Sequence, residues 1–242
     1  EFRRVLFRFG NTAIGMALDG IQGDPVKRRD AGIWDFAAKH YLKHGVATLA
    51  FVPQGKSGYQ IVLRGPVGQD GGFKGLKIRG TNTYHPLIRA LGGAPVVLPP
   101  TDVYAALEKG VVDGVAFPTV GVVDMKWNEV AKHYLLPSFG ISTLQIFMNA
   151  NGFNRLSADD KAALLEVGKR LEQKIWDDYD KMAVEEIDLM QKSGMRETRL
   201  SKDNEAQMGK LFAEGVWELA VGKNGAEAQE FRKLVNDKGM GL

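Results

Sequence analysis

The sequence contains no cysteine among its 242 residues. This absence excludes disulfide bonds, thiolate ligands for a metal and a cysteine nucleophile. A chain without cysteine is compatible with an oxidising compartment but does not require one. The sequence also lacks any window that approaches about 18 unbroken apolar residues, so no segment is predicted to span a membrane.

Neither sign of charge dominates the composition, with 32 Lys and Arg residues against 29 Asp and Glu residues. No dense basic block or basic stretch interleaved with aromatic residues occurs, which gives nucleic-acid binding little support. The slight basic excess suits a small anionic ligand. An apolar content of 44% suffices for one large or two small α/β domains with a proper core.

Sequence motifs of catalysis are also missing. The chain has no GxSxG motif, no phosphate-binding loop and no paired-carboxylate motif of catalysis, and Gly71, Gly72 and Gly75 do not form a dinucleotide fingerprint. We therefore predict that the protein is not an enzyme and that it carries no cofactor.

The stretch from Gly75 to Pro118 contains the most informative pattern. A short apolar run begins at Gly75 and ends on Arg79, which predicts a strand with a charge at its carboxyl end. A helix is predicted next, with Asn82 or Thr83 as its cap. In open α/β sheets ligands bind where strand ends meet helix starts, and a guanidinium there matches a carboxylate. The pattern predicts an anion site.

A second strand–helix–strand step follows directly. Ala94 to Leu98 is predicted as a strand, Thr101 as a helix cap, and a further buried strand ends at Phe117 and Pro118. Adjacent strands would then bring Arg79 and Phe117 near one edge of the sheet.

Four segments of the chain together resemble a known family. GLKIR at 75–79, ALGGAPV at 90–96, DVYAALEKGVVDG at 102–114 and KWNEVAKHY at 126–134 occur in the order found in the substrate-binding proteins of tripartite ATP-independent periplasmic (TRAP) transporters, the DctP family. The resemblance runs from about Asp24 to about Leu219. Each motif is weak alone, but their joint order and spacing are specific.

The resemblance implies an α/β fold of the periplasmic binding protein kind, type II-like and two-lobed, with a long lobe-spanning helix and an incomplete first lobe. It assigns residues 1–54 and 143–182 to lobe I and residues 55–142 and 183–242 to lobe II, with a hinge near Pro53 to Gly58. The long helix is predicted from a capping box at Ser157 and Asp160 to about Ser193.

The resemblance also implies a function. The protein would be a periplasmic solute-binding protein that captures an organic acid between its lobes and delivers it to the small and large membrane subunits of a TRAP permease. It is expected to be a monomer. The alternative is a ligand-sensing regulator or an enzyme on a similar fold, because fold does not fix function. A regulator would need a DNA-binding or signalling domain, and an enzyme an acid–base or nucleophile set, neither of which is visible.

Two candidate ligand-binding residues follow from the motif positions. In the family, the arginine of GLKIR holds the substrate carboxylate, which implies this role for Arg79; from the residues alone, a solvated strand-end charge is the alternative. Asn82 matches a position that often contacts ligand, and it could equally be a helix cap.

Three further candidates are weaker. Phe117 stands where members that bind sugar acids carry asparagine, which favours a smaller or more apolar acid; plain core is the alternative. Tyr59 lies where some members have a second arginine, so its hydroxyl is a candidate contact. Thr143, at the second crossing between the lobes, is either a ligand contact or an ordinary strand residue.

Two histidines on one helix face could begin a metal site. His40 and His44 are spaced i and i+4, but no third ligand is placed to complete the set. We predict that both belong to a solvated helix end and that no metal is bound.

The remaining helices and strands follow from periodicity. A helix capped by Asp24 is predicted to run to Gly45, followed by a buried strand over Val46 to Val52. A helix is also predicted around 120–129, with two more over 201–221 and 226–238.

The first residues, EFRRVLFRF, do not form a signal peptide, because they have no apolar core of sufficient length and no cleavage site of small residues. Glu1 to Phe9 resembles the read-through translation of a sequencing adapter, and members of the family begin earlier. We therefore expect Glu1 to Phe9 to be non-native and the chain to be a fragment.

Overall fold

The computed structural model describes residues 12–241, which form two compact units. Unit 1 comprises residues 12–56, 141–179 and 216–241, and unit 2 comprises residues 57–140 and 180–215. The stretch Glu1 to Phe9, expected to be non-native, lies outside the described residues.

Unit 1 combines a two-stranded sheet with helices. Its elements are α1 (Thr12–Ala17), α2 (Pro25–Asp30), α3 (Ile33–Lys43), β1 (Val46–Pro53), β7 (Thr143–Asn149) and α6 (Ala150–Asn154), together with parts of α7 (Ala158–Lys192) and α8 (Lys202–Asp237). Strands β1 and β7 pair antiparallel over their whole length. The predicted strand at Val46 is confirmed, and its nearly continuous burial explains its unbroken apolar sequence.

Unit 2 is built on a six-stranded mixed sheet. Its own elements are β2 (Tyr59–Leu63), β3 (Lys77–Arg79), α4 (His85–Ala90), β4 (Ala94–Val96), α5 (Pro100–Glu108), β5 (Gly114–Pro118), β6 (His133–Leu136) and β8 (Arg196–Arg199). The strand order is β4-β3-β5-β2-β6-β8, in which β3 runs parallel to both β4 and β5. Parallel neighbours require crossover connections, which α4 and α5 supply.

The long helix predicted from Ser157 is confirmed. The backbone N–H of Asp160 donates to the Ser157 hydroxyl at 3.1 Å, and that hydroxyl donates to the Asp160 carboxylate at 2.7 Å. The 35 residues of α7 are long enough for roughly 50 Å at about 1.5 Å per residue. They divide between unit 1 and unit 2 at Tyr179. No helix within residues 12–241 has the length and apolarity required to cross a membrane.

The carboxyl-terminal residues lie in a different unit from the one expected. We assigned residues 183–242 to lobe II, whereas residues 216–241 belong to unit 1. The reason is packing: Trp217, Phe231 and Val235 are buried in the same core cluster as Ile14 and Ile33. Helix α8 also breaks at Gly225, close to the gap predicted between two terminal helices.

Three other predictions of secondary structure were wrong. The helix capped by Asp24 ends at Asp30, and α3 starts afresh after Gly32, whose φ of 78° interrupts the helix. The segment 120–129 forms turns and a 3-10 turn at Trp127–Glu129 in place of an α-helix. Thr101 is not a cap, because α5 already begins at Pro100.

A buried carboxylate joins three elements of unit 1. Glu172 of α7 is 1% exposed and accepts hydrogen bonds from Arg29 Nε at 2.7 Å, Trp34 Nε1 at 3.0 Å and the Phe51 backbone N–H at 2.9 Å. Because every donor comes from a different element, this one side chain ties α2, α3 and β1 to the long helix.

Glu172→Ala should therefore destabilise unit 1 strongly. The substitution leaves the partners of the carboxylate unpaired, and we expect it to lower the free energy of unfolding by about 3 kcal/mol. Urea denaturation followed by tryptophan fluorescence measures the change. Glu166→Ala is the matched control on the same helix, because Glu166 forms only an exposed pair with Arg170 at 3.8 Å. Equal effects of the two variants would contradict the role given to Glu172.

Candidate functional site

Arg79 is the last residue of β3, an interior strand of the unit 2 sheet next to the edge strand β4. It pairs with Val96 on β4 and with Val115 on β5. The residue is only 4% exposed, so the alternative of a solvated strand-end charge is wrong. The predicted position at the carboxyl end of a strand is confirmed.

The guanidinium of Arg79 is buried without a carboxylate partner among the described residues. Its Nε donates to the Leu98 carbonyl at 2.9 Å, and no ion pair joins it to any residue within 12–241. Burial lowers the pKa of Arg79, an effect that Tyr84 partly opposes. Arginine nevertheless remains protonated in proteins. The end of β3 therefore holds a desolvated positive charge with donors to spare.

The segment after Arg79 differs in detail from the predicted helix start. A 3-10 turn over Asn82–Tyr84 comes first and α4 begins at His85; the residue before the turn is Thr81, which makes no capping bond through its side chain. The predicted cap at Asn82 or Thr83 is therefore wrong. Asn82 is exposed in the turn, and its contact with ligand stays a prediction.

Phe117 lies on the strand beside β3, as predicted. Because Arg79 pairs with Val115, and alternate residues of a strand share a face, Phe117 lies on the same face of the sheet as Arg79. The Phe117 ring is half-buried and meets Trp127 edge to face at 4.9 Å between ring centroids. The structure thus brings a cation and an aromatic ring to one face of two neighbouring strands.

Tyr59 occupies the start of β2 and belongs to an aromatic cluster. It is 6% exposed, and its ring lies 4.8 Å from Tyr84, 5.9 Å from Phe139 and 5.8 Å from Phe212. Its strand partner is Pro118, one residue beyond Phe117, so alternation directs Tyr59 to the opposite face. Packing accounts for the ring, and a ligand contact by the hydroxyl stays a prediction.

Gln60, the residue after Tyr59, was not among the residues predicted from the sequence to bind a ligand. Gln60 is 2% exposed, and neither its Nε2 nor its Oε1 has a hydrogen-bond partner in the described part of the chain. Its direct partner across the strands is Phe117. The available signal was a single amide inside the otherwise apolar run YQIVL.

Thr143 belongs to unit 1 and lies in a polar network there. Its hydroxyl donates to the Ile141 carbonyl at 3.1 Å and accepts from Arg28 Nη1 at 3.1 Å, while its N–H donates to Asp19 at 2.9 Å. Burial lowers the pKa of Arg28 to about 10. The only hydrogen of the Thr143 hydroxyl is used in the bond to Ile141, so the hydroxyl could act toward a ligand only as an acceptor. That role stays a prediction.

The paired histidines of α3 differ from expectation. His40 is 0% exposed and its Nδ1 lies 2.9 Å from the Glu227 carboxylate, so a solvated helix end is wrong for this residue. His44 is half-buried beside it. Within residues 12–241 no group of three or more potential ligands converges to hold a metal ion.

Comparison with known families identifies the class of protein. Residues 26–221 match the family DctP, described as bacterial extracellular solute-binding protein, family 7. The match covers most of the chain, and the chain therefore belongs to this family. The resemblance that rested on four short motifs is confirmed.

Curated relatives are longer than this chain. It is 32% identical over 123 residues to the C4-dicarboxylate-binding periplasmic protein DctP of Rhodobacter capsulatus, covering 50% of this chain and 36% of the relative. It is 29% identical over 200 residues to the 2,3-diketo-L-gulonate-binding periplasmic protein YiaO of Escherichia coli, covering 79% and 56%. The matches thus span less than two thirds of either relative.

Solved structures share the fold. A TRAP periplasmic solute-binding protein of Desulfovibrio salexigens with bound orotic acid has a TM-score of 0.82 at 20% identity, covering 97% of this chain and 77% of that one. A protein of Rhodoferax ferrireducens with bound malonate has a TM-score of 0.75 at 19% identity, covering 90% and 72%. DctP7 of Bordetella pertussis, which binds pyroglutamic acid, has a TM-score of 0.73 at 20% identity, covering 88% and 71%. The predicted α/β periplasmic-binding-protein fold is confirmed.

His85, which follows the 3-10 turn, should titrate below its usual range. Its Nε2 donates to the Gly80 carbonyl at 3.2 Å, and desolvation lowers its pKa despite this bond. The unfolded chain therefore binds more protons, and the free energy of unfolding should fall as the pH is lowered below about 6.5. NMR titration measures the pKa, with His85→Gln assigning the signal. A pKa at or above about 6.5 would contradict the burial of this imidazole.

Proposed function

We propose that this chain belongs to an extracytoplasmic solute-binding protein that captures a small organic acid through its carboxylate and delivers it to a TRAP transporter permease. One observation supports the capture step above all others. Arg79 is a buried cation at the end of an interior strand, and it has no carboxylate partner among the described residues.

Physical chemistry supports an anionic ligand for such a group. Removing a charged side chain from water is costly unless a partner of opposite charge and further hydrogen bonds replace the lost hydration. Among the residues that the structure describes, the Nε of Arg79 alone has an acceptor, which leaves the two Nη groups to donate. A carboxylate accepts two parallel hydrogen bonds from a guanidinium, and each bond to a charged group contributes about 1.5–3 kcal/mol.

The known relatives favour the same class of ligand. The two curated relatives are named for C4-dicarboxylate and 2,3-diketo-L-gulonate, and the three solved structures contain orotic acid, malonate and pyroglutamic acid. All of these ligands carry a carboxylate. This common group supports the proposal that Arg79 receives a carboxylate, while the rest of the ligand differs among relatives.

Phe117 narrows the class of acid that we propose. Its ring lies on the same sheet face as Arg79 and meets Trp127 edge to face, so the ring itself offers a ligand apolar contact and no hydrogen bond. A polyhydroxylated acid would lose hydration here without replacement. We therefore propose a smaller or more apolar acid, with few hydroxyl groups.

The biological setting follows from membership of the family. We propose that the protein acts in the periplasm as a monomer, binds its acid reversibly and presents it to the small and large membrane subunits. We also propose that it performs no chemistry and needs no cofactor. The family description, an extracellular solute-binding protein, supports this setting.

Arg79→Ala tests the proposed capture step. The variant loses the charge-assisted hydrogen bonds, and we expect affinity for the cognate acid to fall at least about tenfold. Calorimetric titration with malonate, orotate and pyroglutamate measures it. Arg89→Ala is the matched control, because Arg89 is an exposed arginine on α4 and should leave affinity unchanged. Unchanged affinity in Arg79→Ala would sink the proposed role of the guanidinium.

Phe117→Asn tests the proposed limit on the acid. We expect the unchanged chain to be stabilised against heat by malonate or pyroglutamate more than by a sugar acid such as galacturonate, because bound ligand raises stability in proportion to affinity. The asparagine supplies hydrogen bonds and should shift this preference toward the sugar acid. The same order of ligands in both proteins would mean that Phe117 does not select the acid.

A further inference from the structure

Gln60 is a buried amide without partners. It is 2% exposed, and both the donor Nε2 and the acceptor Oε1 lack a hydrogen bond within residues 12–241. Its strand neighbours Tyr59, Ile61 and Val62 are buried and apolar or aromatic, so β2 gains no packing advantage from an amide at this position.

An unpaired buried amide calls for a partner from outside the chain. Nearly all buried polar groups in proteins form hydrogen bonds, and one left unmet lowers stability. An apolar residue of similar shape would remove that cost. The retained amide thus points to a molecule with a polar group that bonds to its Nε2, its Oε1 or both.

Strand pairing links Gln60 to the site of Arg79. Gln60 pairs with Phe117, and Arg79 pairs with Val115, two residues earlier on the same strand. Side chains alternate along a strand, so Gln60, Phe117 and Arg79 share one face of three neighbouring strands. Strand spacing of about 4.8 Å and a rise of about 3.3 Å per residue separate the Cα atoms of Gln60 and Arg79 by roughly 12 Å.

We propose that Gln60 is a specificity-determining residue of the ligand site. Its amide pairs with a second polar group of the acid, at the end away from the carboxylate that Arg79 holds, while Phe117 contacts the atoms between them. A separation of roughly 12 Å between two residues with long side chains suits a small acid that carries a keto, amide, hydroxyl or second carboxyl group. This inference rests on the proposed function, because it assumes that an acid binds at Arg79.

An internal water molecule is the competing partner for the amide. Such a water would satisfy Gln60 without any ligand, since buried waters commonly serve unpaired polar groups. The two partners predict different results. If a water is the partner, substitution of Gln60 lowers the stability of unit 2; if a ligand is the partner, substitution lowers the affinity for the acid and changes the preference between acids.

The test compares acids with and without a second polar group. Calorimetry with malonate, orotate and pyroglutamate identifies an acid that the unchanged chain binds. The matched acids that lack the second polar group are propionate for malonate, benzoate for orotate and cyclopentanecarboxylate for pyroglutamate. Gln60→Met keeps the length of the side chain without the amide. We expect it to lower affinity for the polar acid at least about fivefold and to leave affinity for the matched acid within about twofold.

Two further variants keep the test decisive. Gln60→Glu keeps the shape of the side chain but adds a negative charge, so it should lower the affinity for the acid more than Gln60→Met does. If Gln60→Met does not fold, Gln60→Glu takes its place in the test. Thr48→Val is the matched control, because Thr48 also has a buried unpaired hydroxyl but lies on β1 of unit 1. It should leave affinity unchanged.

The outcomes separate this inference from the proposed function. Loss of affinity confined to the polar acid supports the role of Gln60. Unchanged affinity in both Gln60 variants overturns that role, and a lower melting temperature without ligand would then assign the amide to a water. If Arg79→Ala weakens binding and the Gln60 variants do not, the proposed function survives alone. If the unchanged chain binds none of the six acids, both fail.

Discussion

The proposed function of this protein depends on one constraint, a positive charge that is buried at the end of β3. The guanidinium of Arg79 is buried, donates one hydrogen bond to Leu98 and meets no carboxylate in the described part of the chain. A folded protein tolerates such a group only if something compensates it. An anionic ligand would do so, and the stability of unit 2 would then depend on ligand binding.

The charges of unit 1 show what a satisfied arrangement looks like. Arg28 is as buried as Arg79, yet its nitrogens bond to Gly23, Ile21 and Thr143, and Asp19 and Glu172 favour its charge. Each of the three nitrogens of that guanidinium donates a hydrogen bond within the fold, so we interpret Arg28 as a structural residue. The two residues are equally little exposed but differ in how many of their nitrogens have acceptors, and the unused donors of Arg79 support the proposed anion site.

Family membership and local chemistry contribute different parts of the conclusion. The match over residues 26–221 establishes the family, and the likeness to solved structures near 20% identity establishes the fold. Neither identifies the acid, because the relatives bind chemically different carboxylates. We propose that residues around Arg79 recognise the unshared part of the ligand, and the sheet register brings Phe117 and Gln60 to the same face as Arg79.

Local periodicity and short motifs were enough to predict the family, the order of the main strands, the long helix that starts after Ser157 and the position of Arg79 at a strand end. Which buried polar groups have hydrogen-bond partners became visible in the folded chain alone. The strand RETR at Arg196–Arg199 has no apolar alternation that would predict it. His40 is buried beside Glu227, which lies 187 positions further along the chain. Likewise, Gln60 is unpaired because the neighbouring strands place no hydrogen-bond partner beside its amide. Such facts arise from contacts distant in the chain, which local patterns do not encode.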